Sequence, residues 1–223
     1  MAKLLTLSLT ETTTSEYEVV AWDIDNNRWV LIPRLPFSAS TIDNKPVWDL
    51  FQVTKANIVR DVRETRSNVH RIDMTTPPEP LEVVTGDERL AILQALSKNQ
   101  SVNSPLFTDN YVTIVEPDSI TDIIMTPKEN VIDIKKPFYW ESRVEFFLGG
   151  RNWEPARTKV GVACKDLRWK TFWHEIQHNR SSYFNTARDK WLRILTKNKT
   201  FLVIEYYNNH SNYVISGVHT LPV

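Results

Sequence analysis

An alternation of apolar and polar residues runs through most of the chain and predicts a protein built mainly from β-strands. Residues 17–33 form two such stretches joined by the turn 25–27, and residues 199–219 form two more joined around residues 208–211. Polar turns between alternating stretches are typical of β-hairpins. Residues 48–62 are long enough for one strongly bent strand or two short ones. Further strands are predicted over residues 4–10, 110–117, 119–127, 130–137, 143–150 and 157–166.

Helical spacing of apolar residues occurs in two places. Within residues 86–99 leucines recur at helical intervals, Asp87 can cap the first turn, and Lys98 lies close to the end. Residues 188–198 also have one apolar side and predict a second helix. The stretch 74–84 carries three prolines and predicts an extended connector, because proline inside a helix removes a backbone donor and clashes with the preceding turn.

The order of these elements predicts a mainly β fold with a few helices. Strands fall into two groups, each accompanied by one helix, and this arrangement favours two small β-barrels in tandem over one sandwich. The polar segment 99–106 is a suitable boundary between them. We therefore predict a first barrel over 1–104, which includes the helix near 87–98, and a second barrel over 105–223.

Charge is divided unevenly along the chain, although the net charge is zero. Residues 1–134 contain 12 Lys and Arg against 20 Asp and Glu, whereas residues 135–199 contain 15 against 6. This asymmetry indicates a surface for nucleic acid or an acidic partner on the basic half, leaving the acidic amino-terminal half for a protein partner. The alternative is that the two halves neutralise each other across an internal interface.

Composition narrows the class of protein further. A single cysteine, Cys164, excludes an intramolecular disulfide and a cysteine-rich zinc module. The apolar runs are too short to span a membrane, and the amino terminus alternates too much for a signal peptide. We expect a soluble cytoplasmic protein that contacts no membrane and needs no cofactor.

Five of the eight tryptophans lie within the basic segment 135–199, interleaved with lysine and arginine. Single-stranded nucleic acid is bound by this combination, because basic side chains contact phosphates and aromatic faces stack on bases. For any single tryptophan the alternative is burial in the core. The predicted phosphate contacts are Lys135, Lys136, Arg168 and Lys170, and the predicted stacking residues are Tyr139, Trp140 and Trp169.

The segment His174-Glu175-Ile176-Gln177-His178 has the spacing of a zinc-metallopeptidase helix. Two histidines four residues apart can bind one metal ion, and the intervening Glu175 can act as a base toward the bound water. A catalytic zinc needs a third protein ligand, and Glu205, His210 and His219 are the candidates. None of them belongs to a recognisable second motif, so we interpret the match as accidental and predict no metal site and no catalytic residue.

Three stretches resemble the dual OB-containing domain family, small prokaryotic proteins with two tandem OB-like barrels. Residues 19–34 are similar to an early strand pair that contains Trp29. Residues 159–170 are similar to a later strand that ends in an aspartate corner, here Asp166 and Trp169, and residues 200–219 resemble a closing hairpin. The resemblance implies nucleic-acid binding, a role near mobile-element and defence genes, and no settled enzymatic activity. It also implies that residues 174–178 connect two strands.

Three functional hypotheses follow. The first is a non-enzymatic nucleic-acid-binding subunit of a larger prokaryotic assembly, with DNA, RNA and strandedness left open. The second is a structural or adaptor subunit that docks a protein partner. The third is a zinc hydrolase that uses His174, Glu175 and His178.

Overall fold

The computed structural model describes residues 1–11, 15–42, 45–98, 111–127, 140–153, 160–179, 181–207 and 212–222. The fold is mainly β, as the alternating pattern predicts. The strands are β1 (Ala2–Glu11), β2 (Glu16–Asp23), β3 (Arg28–Pro36), β4 (Thr41–Ile42), β5 (Lys45–Pro46), β6 (Gln52–Ala56), β7 (Ile58–Arg60), β8 (His70–Ile72), β9 (Glu79–Val83), β10 (Val112–Val115), β11 (Ser119–Pro127), β12 (Trp140–Leu148), β13 (Arg151–Asn152), β14 (Val162–Ala163), β15 (Lys199–Tyr207) and β16 (Asn212–Leu221). The helices are α1 (Gly86–Lys98), α2 (Leu167–Asn179) and α3 (Phe184–Lys197).

The first half of the chain forms a five-stranded antiparallel sheet in the order β3-β2-β1-β6-β9. The hairpin predicted over 17–33 is confirmed as β2 and β3. Its turn is stabilised by the Asp23 carboxylate, which accepts hydrogen bonds from the Asn26 side chain at 2.9 Å and from Arg28 Nε at 3.1 Å. Asn27 has a φ of 50°, which asparagine tolerates better than most residues.

Two further sheets are formed by the second half. One has the order β10-β15-β16, and its β15–β16 pair confirms the hairpin predicted over 199–219. The other contains β11, β12 and β13, with β14 also paired to β12. The sheets are open in their hydrogen-bonding order over the described ranges, so the closed tandem barrels stay a prediction. The stretch predicted as a strand over 130–137 and the boundary 99–106 lie outside the described residues.

Two extended stretches take a more defined form than their patterns indicate. Residues 48–62 contain two short strands, β6 and β7, rather than one bent strand. The predicted connector 74–84 contains β9, which pairs with β6 at the edge of the five-stranded sheet. Proline is tolerated in an edge strand because one side of that strand needs no backbone donors, and Pro80 occupies such a strand.

The three helices pack on these sheets. α1 confirms the helix predicted over 86–99, with Leu93 and Leu96 buried. α3 confirms the second predicted helix and begins four residues earlier, at Phe184. Residues 174–178 belong to the 13-residue helix α2. This helix lies between β14 and β15 in the chain, where the resemblance implied a connection between strands.

The core extends across the two predicted halves. One buried cluster combines Leu7 and Phe51 with Ile114 and Phe201. β1 also lies against β16, where a Cβ on Gly217 would come within 3.1 Å of Ser8 Cβ, so only glycine fits this approach without a shift. The division at 104/105 stays a prediction. If the chain is divided there, the two parts share an extensive apolar contact.

Candidate functional site

A cleft of about 230 Å³ opens where α1, the start of α2, α3 and the end of β16 meet. It contains parts of both predicted halves, because α1 comes from the first and the other elements from the second. The residues that line it are Phe51, Arg89, Asp166, Arg168, Trp169, Trp191, Val218, His219, Thr220 and Leu221. Two guanidinium groups and one carboxylate therefore face this cleft, together with four rings.

Asp166 organises the cleft floor. Its Oδ1 accepts hydrogen bonds from the backbone N–H groups of Arg168, at 2.9 Å, and Trp169, at 3.3 Å, so it caps the amino terminus of α2. Its Oδ2 accepts from the backbone N–H of Val218 at 2.9 Å and thereby joins α2 to β16. This buried carboxylate has a structural role that the aspartate corner seen in the sequence only suggests.

Arg168 is the one predicted phosphate contact that the structure brings into the cleft. Its Nη2 donates to Asp166 Oδ2 at 3.0 Å and to the Val218 carbonyl at 2.9 Å. These bonds hold the guanidinium in one orientation, while 52% of the side chain stays exposed. The Arg168 guanidinium group therefore has a fixed orientation and is still accessible to an anion.

Arg89, on α1, is a cleft residue that the sequence reasoning missed. Its Nε donates to the Val84 carbonyl at 2.6 Å, and its guanidinium lies 4.7 Å from the centre of the Phe51 ring. Among the described residues no carboxylate pairs with it. A half-buried guanidinium held by a neutral carbonyl and a ring is suited to bind an anion. No sequence signal marks it, because only the tertiary packing of α1 carries it to β16.

Two neighbouring tryptophans at the cleft differ in their exposure. Trp169 is only 3% exposed, and its indole N–H donates to Ser142 Oγ at 2.9 Å. This burial is at odds with its predicted stacking role, and the tertiary packing makes Trp169 part of the core. Trp191 lies beside it, with ring centres 5.1 Å apart, and is partly exposed in the cleft.

The other predicted contacts are not brought to this cleft. Lys135, Lys136 and Tyr139 lie outside the described residues. Trp140 begins β12, and its side chain is not described. Lys170 is half-buried on α2 and does not line the cleft.

His219 lies beneath the two arginines as a buried ring. Its Nε2 donates to the Leu7 carbonyl at 2.7 Å, and its ring meets Phe51 edge-on. Burial lowers the pKa of His219 from its ordinary 6.5 to about 4, and the positive charge of Arg168 and of Arg89 contributes to the lowering. The ring is therefore neutral at pH 7 and adds no charge to the cleft.

His219 should make the fold sensitive to acid. Because its pKa in the folded state is lowered from 6.5 to about 4, its contribution to stability is present above pH 6.5 and is lost as the pH falls toward 4. A glutamine at this position can still donate to the Leu7 carbonyl but does not titrate. As the pH falls between these values, the free energy of unfolding of His219→Gln should decrease less than that of the wild type, as measured by urea unfolding. If the free energy of unfolding of both proteins changed equally with pH, His219 would not be the group responsible.

The segment 174–178 lies on α2, where the zinc alternative requires a helix. His174 is half-buried, Glu175 is exposed, and the side chain of His178 is not described. Of the third ligands considered, His219 is bonded to Leu7, and Glu205 is buried beside Arg66. Within the described ranges no three His, Cys, Asp or Glu side chains lie close enough together to hold a metal ion. The interpretation of the motif as accidental stays a prediction.

A second polar cluster lies in the core. Glu18 on β2 and Glu205 on β15 are both buried and interact, and Arg66 Nη1 lies 3.2 Å from Glu205 Oε1. Burial raises the pKa of Glu18 well above its ordinary value, and the neighbouring Glu205 raises it further, while Arg66 and Lys165 lower it. The cluster joins residues that are distant in sequence.

No protein-family model matches the chain, and no curated protein sequence matches it significantly. The fold and the cleft define a mainly β protein with an arginine-lined cleft. None of the helices in the described part of the chain is long and apolar enough to cross a membrane.

Proposed function

We propose that this chain binds nucleic acid and that the cleft holds a backbone phosphate between Arg89 and Arg168. The observation that carries the proposal is the pair of guanidinium groups in one cleft, one of them without a carboxylate partner among the described residues. Planar guanidinium groups bind phosphate oxygens through two parallel hydrogen bonds, and such contacts supply most of the affinity for nucleic acid.

Charge along the chain supports the same ligand. Arg168 lies in the segment 135–199, which carries fifteen basic against six acidic residues. A basic segment attracts a polyanion over a distance of about one Debye length, roughly 8 Å at physiological salt, before any specific contact forms. The cleft would then hold the strand that this field attracts.

The cleft is suited to binding rather than to chemical turnover. Its two titratable non-arginine groups, Asp166 and His219, both hold backbone groups in place. Cys164 is buried, and burial raises the pKa of its thiol far above the ordinary range, so it is a poor nucleophile. We accordingly propose a protein without catalytic activity of its own.

The tandem OB-like barrels and the cytoplasmic location belong to this proposal as well. The proposal of two barrels is supported by the resemblance in residues 159–170. The aspartate of that stretch, Asp166, caps α2 and joins it to β16. Action as a subunit of a prokaryotic defence or mobile-element assembly rests on the same resemblance.

Replacing Arg89 by methionine should weaken nucleic-acid binding about tenfold, since a hydrogen bond to a charged group is worth roughly 1.5–3 kcal/mol. The loss should be similar for all base sequences, and the slope of log K against log salt should decrease by about one. Fluorescence anisotropy with labelled DNA and RNA strands, at about 50 and about 200 mM salt, measures both quantities.

Arg63→Met is the matched control, because Arg63 is exposed and lies outside the cleft. It removes the same charge, so a loss equal to that of Arg89→Met would show that only net charge matters and would contradict the cleft as the site. Unchanged affinity in Arg89→Met would contradict it as well.

A protein partner on the acidic half is a second proposal, which one observation favours. Several large apolar side chains are exposed between residues 59 and 83, in a part of the chain that the sequence assigns to the acidic half. They are Val59, Val62, Met74, Leu81 and Val83. Exposed apolar side chains rimmed by charge are typical of protein contacts. Binding that an oligonucleotide does not compete away would support this partner.

A further inference from the structure

The size of the cleft limits what it can hold. At about 230 Å³ it is smaller than the roughly 300–1,000 Å³ of pockets that enclose a whole drug-sized ligand. A double helix cannot enter such a space. A phosphate with one adjoining base is a fragment of suitable size. A nucleic-acid strand would place one such nucleotide in the cleft at a time.

The charge of the cleft fits a phosphodiester. Two guanidinium groups and one carboxylate leave a single surplus positive charge, because His219 is neutral at pH 7. An internal phosphodiester carries one negative charge, so it would neutralise the cleft. Since Asp166 is engaged by Arg168 and by three backbone N–H groups, Arg89 is the group on which the surplus charge lies.

Four aromatic rings line the cleft, and Trp191 is the only one of them that is not buried. Phe51, Trp169 and His219 are buried, and the Arg89 guanidinium covers Phe51. Trp191 is partly exposed. Its neighbours Trp169 and Phe172 both meet it at steep angles of 61° and 76°, so neither is stacked parallel to its ring.

We propose that the cleft binds one unstacked nucleotide of a single-stranded nucleic acid, with its phosphodiester on Arg89 and Arg168 and its base against Trp191. This inference rests on the proposed function and adds strandedness to it. A base in a duplex is covered on both faces by its neighbours, whereas a base in a single strand is free to stack on an aromatic side chain. The protein therefore discriminates single strands from duplexes.

The experiment compares a labelled strand of about 12 nucleotides, a length within the roughly 4–16 nucleotides of typical single-strand sites, with the same strand annealed to its complement. Wild type should bind the single strand at least about tenfold more tightly. Trp191→Leu should lose about tenfold in single-strand affinity and leave duplex affinity unchanged. Trp191→Phe keeps an aromatic face and should retain most of the affinity, and Trp22→Leu, at a half-buried tryptophan outside the cleft, should bind like wild type.

Each other outcome overturns the inference in a recognisable way. If Trp191→Leu binds single strands like wild type while Arg89→Met binds weakly, the phosphate site stands and the stacked base does not. Equal losses in Trp191→Leu and Trp191→Phe would show that Trp191 supports the fold rather than a base. Equal affinity of wild type for both forms refutes the discrimination. If no nucleic acid binds at all, the proposed function fails together with the inference.

Discussion

Arg66→Met is expected to lower the free energy of unfolding by about 3–5 kcal/mol near pH 8, the largest effect we expect from a single substitution outside the apolar core. Arg66 is the cation of a buried cluster, with 12% of its side chain exposed, and it pairs with Glu205, which is fully buried. Removing one partner of a buried ion pair leaves the other charge without compensation. Here two carboxyl groups, those of Glu18 and Glu205, would be left together.

The penalty should depend on pH, and its sign follows from the raised pKa of Glu18. A carboxyl whose folded-state pKa is raised above the ordinary 4.5 favours the folded state below that pH, and this contribution is lost as the pH rises through the folded-state pKa. Removing Arg66 raises the pKa of Glu18 further, because Arg66 is one of the groups that lower it. We therefore expect most of the lost stability to return near pH 4.5.

Urea unfolding of wild type and variant at several pH values measures this difference. Arg71→Met is the matched control, because Arg71 pairs with Asp61 at 3.4 Å but is about half exposed, and such pairs contribute about 0–1 kcal/mol. A penalty for Arg66→Met that stays constant between pH 4.5 and 8 would mean that protonation of Glu18 is not coupled to folding.

Asp166→Ala is expected to lower the free energy of unfolding by about 3 kcal/mol. Loss of a helix cap costs roughly 0.5–2 kcal/mol, and a buried backbone donor left without an acceptor, here the N–H of Val218, costs roughly 1–3 kcal/mol more. The substitution also removes the group that orients Arg168, so nucleic-acid affinity should decrease in the protein that remains folded.

Thermal or urea unfolding provides the measurement, and Asp49→Ala provides the comparison. Asp49 is exposed, and its carboxylate accepts only a local bond from the Leu50 N–H at 2.7 Å. Surface changes of this kind usually stay within about 0.5 kcal/mol. If the two variants were equally stable, Asp166 would not be the residue that ties α2 to β16.

Much of the local structure could be predicted from the residue pattern. The β2–β3 and β15–β16 hairpins follow from alternation on either side of polar turns, and α1 follows from its leucine spacing, because these signals act over a few residues. The strand β9 was predicted only as an extended connector. Its prolines exclude helix, but pairing with β6 depends on a partner some thirty residues away.

The candidate site was predicted in part. Arg168 was predicted from the basic, aromatic segment, and the structure places it in the cleft, where Asp166 holds its guanidinium group. Arg89 was missed, since nothing near residue 89 distinguishes it from any helix-surface arginine. Trp169 was predicted to stack on a base and is buried, because Trp169 and Trp191 both belong to amphipathic stretches and only packing decides which ring is exposed.

What the sequence determined by itself is the class of the fold, the uneven distribution of charge and the position of the hairpins and of two helices. These depend on periodicity and composition, which act locally along the chain. Tertiary structure alone decided that α1 meets the end of β16, that Arg89 and Arg168 share one cleft, and that Glu18, Arg66 and Glu205 form one buried cluster. The physical reason is that contacts between distant residues depend on apolar burial and close packing, and local sequence patterns do not reveal which distant residues pack together.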